Sequence, residues 1–72
     1  MSGAFPIYIN DRARIINDPL QWIIQHLRGN RWVDWSFFTD RDIMATRVIY
    51  RYDALRDTAL QAIASLPSKH PH

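Results

Sequence analysis

The chain has 72 residues, one domain close to the smallest size that folds around a single hydrophobic core. Its apolar fraction of 47% argues against wholesale disorder, the absence of Cys excludes disulfides and thiolate zinc sites, and the net charge of +2 does not by itself indicate nucleic acid. Because no apolar run is long enough for a membrane span and the start does not resemble a signal peptide, we expect a cytoplasmic protein.

The chain uses one type of basic residue and one type of acidic residue almost exclusively. The chain contains eight Arg but one Lys, and seven Asp but no Glu. The planar guanidinium of Arg binds carboxylates and phosphates in pairs and stacks on aromatic rings, so this bias is typical of an anion-binding surface. A GC-rich genome that favours Arg codons is the alternative explanation.

Short extended segments are predicted in the first third of the chain. Residues 1–6 are predicted to form a loose leader, and the apolar run 7–9 ends at the turn pair 10–11. Residues 13–16 form a second extended segment. The Asn-Asp-Pro sequence at 17–19 predicts a turn, because Pro disfavours the helical conformation in the residue before it.

A β-hairpin is predicted next. Residues 20–27 and 32–38 are rich in aromatic and β-branched residues, and Gly29-Asn30 between them is a two-residue turn signal. This register places Leu27 opposite Trp32. The face predicted to cover the core then carries Trp22, Ile24, His26, Val33, Trp35 and Phe37. The face predicted to meet solvent carries Gln21, Ile23, Gln25, Leu27, Trp32, Asp34, Ser36 and Phe38.

A helix is predicted from Thr39, the expected N-cap, because two Asp follow in the first turn and no Gly or Pro occurs before Pro67. We expect one long or kinked helix. The alternative is a break near residues 52–53, with Asp53 capping a second helix, since residues 48–52 have weak helix propensity. The apolar residues recur at spacings of three and four: Met44, Val48, Tyr52, Leu55, Ala59, Ile63 and Leu66.

The predicted fold class is therefore α+β, an antiparallel β-hairpin or three-stranded sheet packed against a long or kinked C-terminal helix. Residues 1–72 form a single domain. It consists of the loose leader 1–6, the sheet region 7–38, the helical region 39–66 and a flexible tail 67–72.

Catalytic and metal-binding motifs are not evident. His26 is a lone histidine on the predicted core face, which favours a structural role. The four Ser residues have no nucleophile-elbow context, Asp40 and Asp42 are explained by helix capping, and the tail histidines, His70 and His72, are expected to fray. We therefore predict no enzyme, no catalytic residue, no bound metal and no cofactor.

A partner-binding surface is the stronger hypothesis. Trp, Tyr, Phe and Arg are enriched in interface cores, whereas Lys and Glu are depleted. Large apolar residues stand on the predicted solvent face, Arg residues flank the hairpin turn, and two Arg on the helix have no Asp three or four residues away. The predicted partner-binding residues are Ile23, Arg28, Arg31, Trp32, Phe38, Arg47 and Arg51.

Two further partners are considered. Ile49 and Leu60 widen the apolar stripe of the helix beyond what one hairpin can cover, so we expect a homodimer. A small sheet-type DNA-binding domain is the alternative function, with Arg12, Arg14 and the hairpin-tip arginines on phosphates and the solvent-face aromatics on bases. Asp34 in the middle of that face and the acidic helix start argue against DNA.

The order of these segments resembles that found in small accessory proteins of phages, prophages and other mobile elements. The resemblance covers residues 13–67: a strand ending in Asn-Asp-Pro, the strand LQWIIQ, a basic Gly turn, an aromatic strand, and TDRDI opening a helix that ends in Leu-Pro. It implies a cytoplasmic protein of the bacterial host cell. The partner it implies is a host protein or ribonucleoprotein, such as a CRISPR effector or another defence system, that the protein binds and inhibits.

Overall fold

A computed structural model describes residues 5–71 of the chain. In chain order the elements are β1 (Ile7–Asn10), β2 (Ala13–Asn17), β3 (Trp22–Arg28), β4 (Arg31–Phe38), α1 (Arg41–Arg51) and α2 (Asp57–Ala64). The strands form one antiparallel sheet in the order β1-β2-β3-β4. The predicted α+β class is confirmed. The predicted detail is wrong, because the sheet has four strands and the single long helix is two helices.

Both helices pack on the same face of the sheet. That face and the buried sides of the helices share one hydrophobic core, made of Ile7, Ile9, Ala13, Ile15, Trp22, Ile24, Met44, Val48, Ala59, Ile63 and Leu66. Within residues 5–71, no helix covers the opposite face of the sheet. A sheet of this size therefore has one face whose side chains must cover one another or meet solvent.

The predicted turns are confirmed. Gly29 adopts a φ of 66°, which Gly tolerates because it lacks a Cβ, and β3 and β4 pair on either side of it. At the second turn, the Asp18 amide donates to the Gln21 carbonyl over 2.9 Å. The Asp18 side chain accepts the Leu20 amide over 2.9 Å. Side-chain acceptance by Asp stabilises such turns locally, which explains why the sequence signal was reliable.

A β-bulge separates the observed register from the predicted one. Near the turn, Leu27 lies opposite Trp32, as predicted, but the pairing shifts between Ile24 and Gln25. Beyond the shift, Trp22 lies opposite Phe38 instead of Phe37. A one-residue slip moves side chains to the other face of a sheet. The predicted solvent position of Phe38 is therefore wrong, because Phe38 packs against the core.

The bulge also changes which aromatic rings are buried. Trp22 is 1% exposed, which confirms one part of the prediction. Trp35 and Phe37, predicted to be buried, are 44% and 54% exposed. Trp32, predicted to be mostly exposed, is half-buried. Strand alternation alone could not anticipate the extra residue that the bulge inserts.

The helical region breaks after α1, near the position of the predicted alternative. The second helix begins at Asp57 instead of after a cap at Asp53. In the connection, the Arg56 amide donates to the Ile9 carbonyl over 2.9 Å. The Asn10 side-chain amide donates to the Ala54 carbonyl over 3.0 Å. Hydrogen bonds to the edge of β1 thus replace the helical hydrogen bonds that a continuous helix would have formed.

The predicted apolar stripe faces the core on both sides of the break between α1 and α2. Each of its seven members lies in the core or packs against it, because the chain turns back without changing which side of each helix faces the sheet. Neither helix in the described part of the chain has the length and the apolar run that crossing a membrane requires.

The N-cap of α1 is one residue later than predicted. The Asp40 side chain, not Thr39, accepts the Ile43 amide over 2.9 Å, and Lys69 forms an ion pair with the same carboxylate. Both interactions lower the pKa of Asp40, the Lys69 hydrogen bond most strongly. Asp caps helices at least as well as Thr, so the sequence alone does not decide which of the two adjacent residues is the N-cap.

The predicted tail is docked on the body of the protein. The His70 amide donates to the Thr39 carbonyl over 2.7 Å, and His70 is buried with its ring edge-on to Trp22 at 4.9 Å. The Nε2 atom of His70 lies 2.8 Å from Oδ1 of Asn17. Flexibility is thus the wrong prediction for residues 68–70. Of the predicted loose leader, Phe5 packs against the core, and residues 1–4, like residue 72, lie outside the described residues.

Candidate partner-binding site

The seven predicted partner-binding residues fall on different sides of the sheet. Ile23 and Trp32 lie on the face without helices, whereas Phe38 lies on the core face. The four arginines lie elsewhere: Arg28 and Arg31 face each other across the hairpin tip, and Arg47 and Arg51 stand one turn apart on α1. The structure therefore does not assemble them into one patch.

Some of the side chains on the helix-free face bond to one another. The residues of this face are Tyr8, Arg14, Ile16, Ile23, Gln25, Leu27, Trp32, Asp34 and Phe37. Nε of Arg14 donates to Gln25 over 2.8 Å, and the Gln25 amide donates to Asp34 over 2.8 Å. The Arg14 guanidinium also lies 4.3 Å from the centre of the Trp32 ring, and Tyr8 packs edge-on to that ring at 6.2 Å. Arg14, Gln25 and Asp34 thus form a chain of hydrogen bonds across three strands.

Two predicted recognition residues on this face are less accessible than predicted. Ile23 is buried, although no helix of the described residues covers it. Trp32 is half-buried, and its contacts with Arg14 and Tyr8 stabilise the sheet. Phe37 takes the exposed place that was predicted for Phe38.

Replacing Trp32 with alanine is expected to lower the free energy of unfolding by about 1–2 kcal/mol, because a half-buried aromatic ring and its cation–π contact are lost. The mostly exposed position that the sequence predicts for Trp32 would give almost no effect. Urea unfolding measures the difference. The matched control is Tyr50→Ala, since Tyr50 is 85% exposed, and it should stay within about 0.5 kcal/mol of the wild type. Equal stability of both variants would contradict the contacts of Trp32.

The second surface, which we call the arginine–aromatic site, lies on the helix side of the sheet at the end of α1. His26 of β3 stacks on Trp35 of β4, with ring centres 4.5 Å apart and an interplanar angle of 26°. The Arg51 guanidinium lies 4.9 Å from the centre of the Trp35 ring. The site comprises His26, Arg28, Trp35, Arg47, Tyr50, Arg51 and Tyr52.

His26 holds this site together. Its Nε2 atom shares a hydrogen bond of 2.5 Å with the Tyr52 hydroxyl, and the Tyr52 ring stands edge-on to the imidazole at 5.7 Å. Burial lowers the pKa of His26 below its ordinary value of 6.5, and the positive charges of Arg51 and Arg28 lower it further. Burial raises the pKa of Tyr52, against the opposing effect of Arg51. A neutral imidazole thus joins the sheet to the end of α1.

Acidification is expected to weaken the fold through His26. Because the pKa of His26 is lower in the folded state, its contribution to stability is complete above about pH 6.5 and is lost as the pH falls through the folded-state value. Urea unfolding of wild type and His26→Gln at about pH 7.5 and about pH 5.5 tests this. The variant should lose less stability on acidification than the wild type. Both proteins contain His70, so His70 does not contribute to the difference. Parallel losses would show that His26 protonates freely in the folded state.

The cations of this site lack carboxylate partners. In residues 5–71, the ion pairs within 4.0 Å use Arg41, Arg56 and Lys69. The other arginines of the described chain form no such pair, and they include all four arginines that the sequence predicted for partner binding. Arg28 and Arg31, directly opposite each other, even repel. An uncompensated group of Arg beside exposed aromatic rings is suited to an acidic partner.

No metal-binding cluster is found in the described part of the chain. Within residues 5–71, no group of three His, Asp, Glu or Cys side chains could hold a metal ion. Asp40 is engaged in capping, and Asp42 pairs with Arg41 over 3.1 Å. The chemistry that the arginine–aromatic site offers is recognition of negative charge and flat or apolar groups.

Sequence reasoning found part of this site. The spacing of Arg47 and Arg51, without a nearby Asp, predicts both helix arginines as partner-binding residues, and both line this site. Trp35 was missed as a surface residue, because the register predicted it in the core. Tyr52 was predicted on the core side of the helix, against which it packs, but its bond to His26 was missed. The one available signal was His26, the only polar residue on the predicted core face of the hairpin, which called for a partner such as a tyrosine hydroxyl.

Comparison with known proteins identifies no relative: no family model, no curated protein and no solved structure matches this chain.

Proposed function

We propose that this chain is a non-enzymatic binding protein of a phage or mobile element, and that it attaches to and inhibits a host macromolecular complex such as a CRISPR effector or another defence system. The observation that carries the binding function is the arginine–aromatic site. Three arginines without carboxylate partners, Arg28, Arg47 and Arg51, lie around His26 and Trp35 and along α1. The mobile-element origin and the inhibition follow from the sequence resemblance to accessory proteins of such elements.

The proposed partner surface is acidic and contains apolar groups. Arg47 lies on the exposed side of α1 between Ile43 and Tyr50, which are 57% and 85% exposed. Tyr and Arg are the residues that most often dominate the binding energy of interfaces, and exposed apolar neighbours exclude water around them. The same end of the molecule carries Trp35, so aromatic surface extends from α1 onto β4.

Double-stranded DNA is the weaker candidate partner. The alternative function placed bases on Trp32 and phosphates on Arg14, but these two side chains contact each other, and Arg14 is also bonded to Gln25. Asp34 lies on the same face. A nucleic-acid ligand would instead have to use the arginine–aromatic site, where its affinity would fall steeply with salt concentration.

An affinity capture from bacterial lysate tests the proposal. The tagged protein is incubated with lysate with and without a nuclease that cleaves only DNA, and retained proteins are identified by mass spectrometry. We expect a host protein or ribonucleoprotein that remains bound after nuclease treatment and whose activity falls when the pure protein is added. Loss of all binding on nuclease treatment would favour DNA. If the host complex is retained but its activity is unchanged by the pure protein, the binding part of the proposal stands and the inhibition part is wrong.

A further inference from the structure

The two edges of the sheet are treated differently. The β1 edge is covered by the connection between the helices, through hydrogen bonds from Arg56 to Ile9 and from Asn10 to Ala54. The β4 edge is open: among residues 5–71, the backbone of β4 bonds to β3 on one side and to no other segment on its outer side. Such an edge presents unpaired amides and carbonyls to an added strand.

The β4 edge is only partly protected. Proteins usually guard an exposed edge strand with charged residues, Pro, a β-bulge or a short length, and of these β4 has the bulge at Trp35 and the charges of Arg31 and Asp34. Here the strand has eight residues, and Val33, Trp35 and Phe37 are 40%, 44% and 54% exposed. The one carboxylate, Asp34, accepts a hydrogen bond from Gln25 on the helix-free face. The edge therefore combines free backbone groups with exposed apolar surface.

Positive charge surrounds the same strand. Arg31 is its first residue, opposite Arg28, and the Arg51 guanidinium lies over Trp35 in its middle. These arginines form no ion pair with any carboxylate of the described residues. A segment lying along β4 would thus meet cations at its end and its centre, which favours acidic side chains.

We infer that the outer edge of β4 accepts an extended acidic segment of the partner protein as a fifth strand of the sheet. This inference rests on the proposed function and specifies how the partner is held. Backbone hydrogen bonds supply the register, and Arg31 and Arg51 select acidic side chains. A second copy of the chain is a poorer occupant, because its own β4 offers only Asp34, which is already bonded to Gln25.

A short peptide tests the inference without knowledge of the natural partner. The probe is a capped peptide of alternating Glu and Val, with about the length of β4. We expect it to bind at concentrations below about 1 mM and to slow hydrogen exchange of outward-facing β4 amides, measured by NMR. Absence of binding at that concentration would overturn the inference, as would protection confined to other elements.

Two N-methylated versions of the peptide separate strand pairing from simple charge attraction. In each version every second amide is methylated, and the two versions differ in which amides these are. Since alternate amides of a strand point to opposite sides, only one of the two versions loses its hydrogen bonds to β4. We expect one version to bind roughly tenfold more weakly or worse and the other to bind like the parent. Equal binding of both versions would overturn strand addition. A Lys–Val peptide should fail to bind, and Arg51→Gln should weaken the Glu–Val peptide about two- to fivefold.

Two further measurements distinguish the possible failures. If a partner captured from lysate binds but is not displaced by the Glu–Val peptide, the proposed function stands and the β4 inference fails. If sedimentation equilibrium shows a homodimer that the peptide cannot dissociate and whose β4 amides are already protected, a second copy occupies the edge, and the inference is equally overturned.

Discussion

Replacing Trp22 with alanine is expected to leave the protein largely unfolded at 25 °C. Trp22 is 1% exposed, lies opposite Phe38 and meets the His70 ring edge-on at 4.9 Å. Truncating a buried Trp costs about 3–5 kcal/mol, because the transfer energy is lost and a cavity remains. A core of this size supplies only about 3–5 kcal/mol in total. Circular dichroism and urea unfolding would show a lost or strongly shifted transition.

The matched control is Trp35→Ala. Trp35 is 44% exposed and gives up only its stacking on His26 and its contact with Arg51. We expect a loss of about 1–2 kcal/mol and a preserved cooperative transition. The hairpin register predicted from sequence made both residues core residues and would give them similar costs. Equal destabilisation by the two substitutions would therefore contradict the exposure of Trp35.

The double substitution of Arg47 and Arg51 with glutamine is expected to weaken partner binding by at least about tenfold. Two exposed cations near Tyr50 and Trp35 are removed, while neither of them supports a buried ion pair. Charges of this kind steer association, so the loss should appear mainly as a slower association rate and a weaker salt dependence. Surface-based binding kinetics at two salt concentrations, with the captured partner immobilised, would measure both.

Net charge needs a control of its own. The pair Thr58→Glu and Gln61→Glu removes the same net charge from exposed positions on α2. We expect it to change affinity by less than about threefold, because screening limits the effect of distant charges. If both pairs weaken binding equally, the partner responds to total charge, and the arginine–aromatic site is not its contact surface. Urea unfolding of all variants excludes loss of fold as the cause.

The elements of the fold were largely predictable from local signals. Gly29 at the hairpin turn, Asp18-Pro19 at the second turn and the three-and-four spacing of apolar residues each act through neighbours along the chain. The helix break was only an alternative in the sequence, since no Gly or Pro marks it. It depends on hydrogen bonds from Arg56 and Asn10 to groups more than forty residues away in the chain.

The candidate site was less predictable than the fold. The unpaired state of Arg47 and Arg51 followed from helical spacing, which is local. The partners of His26 did not, because Tyr52 reaches it from another element and its stacking on Trp35 depends on side-chain positions that strand alternation does not fix. The register shift at the bulge exchanged Phe37 and Phe38 between the two faces.

By itself, then, the sequence determined the α+β class, the turns, the core-facing sides of the helices and the excess of unpaired Arg. Each of these properties depends on residue type and spacing within a few residues. Only the tertiary structure decided the bulge, the end of α1 at Arg51, the docking of His70 on Trp22 and the open edge of β4. These features arise where distant segments compete for the same hydrogen bonds and core volume, and a local pattern carries no record of that competition.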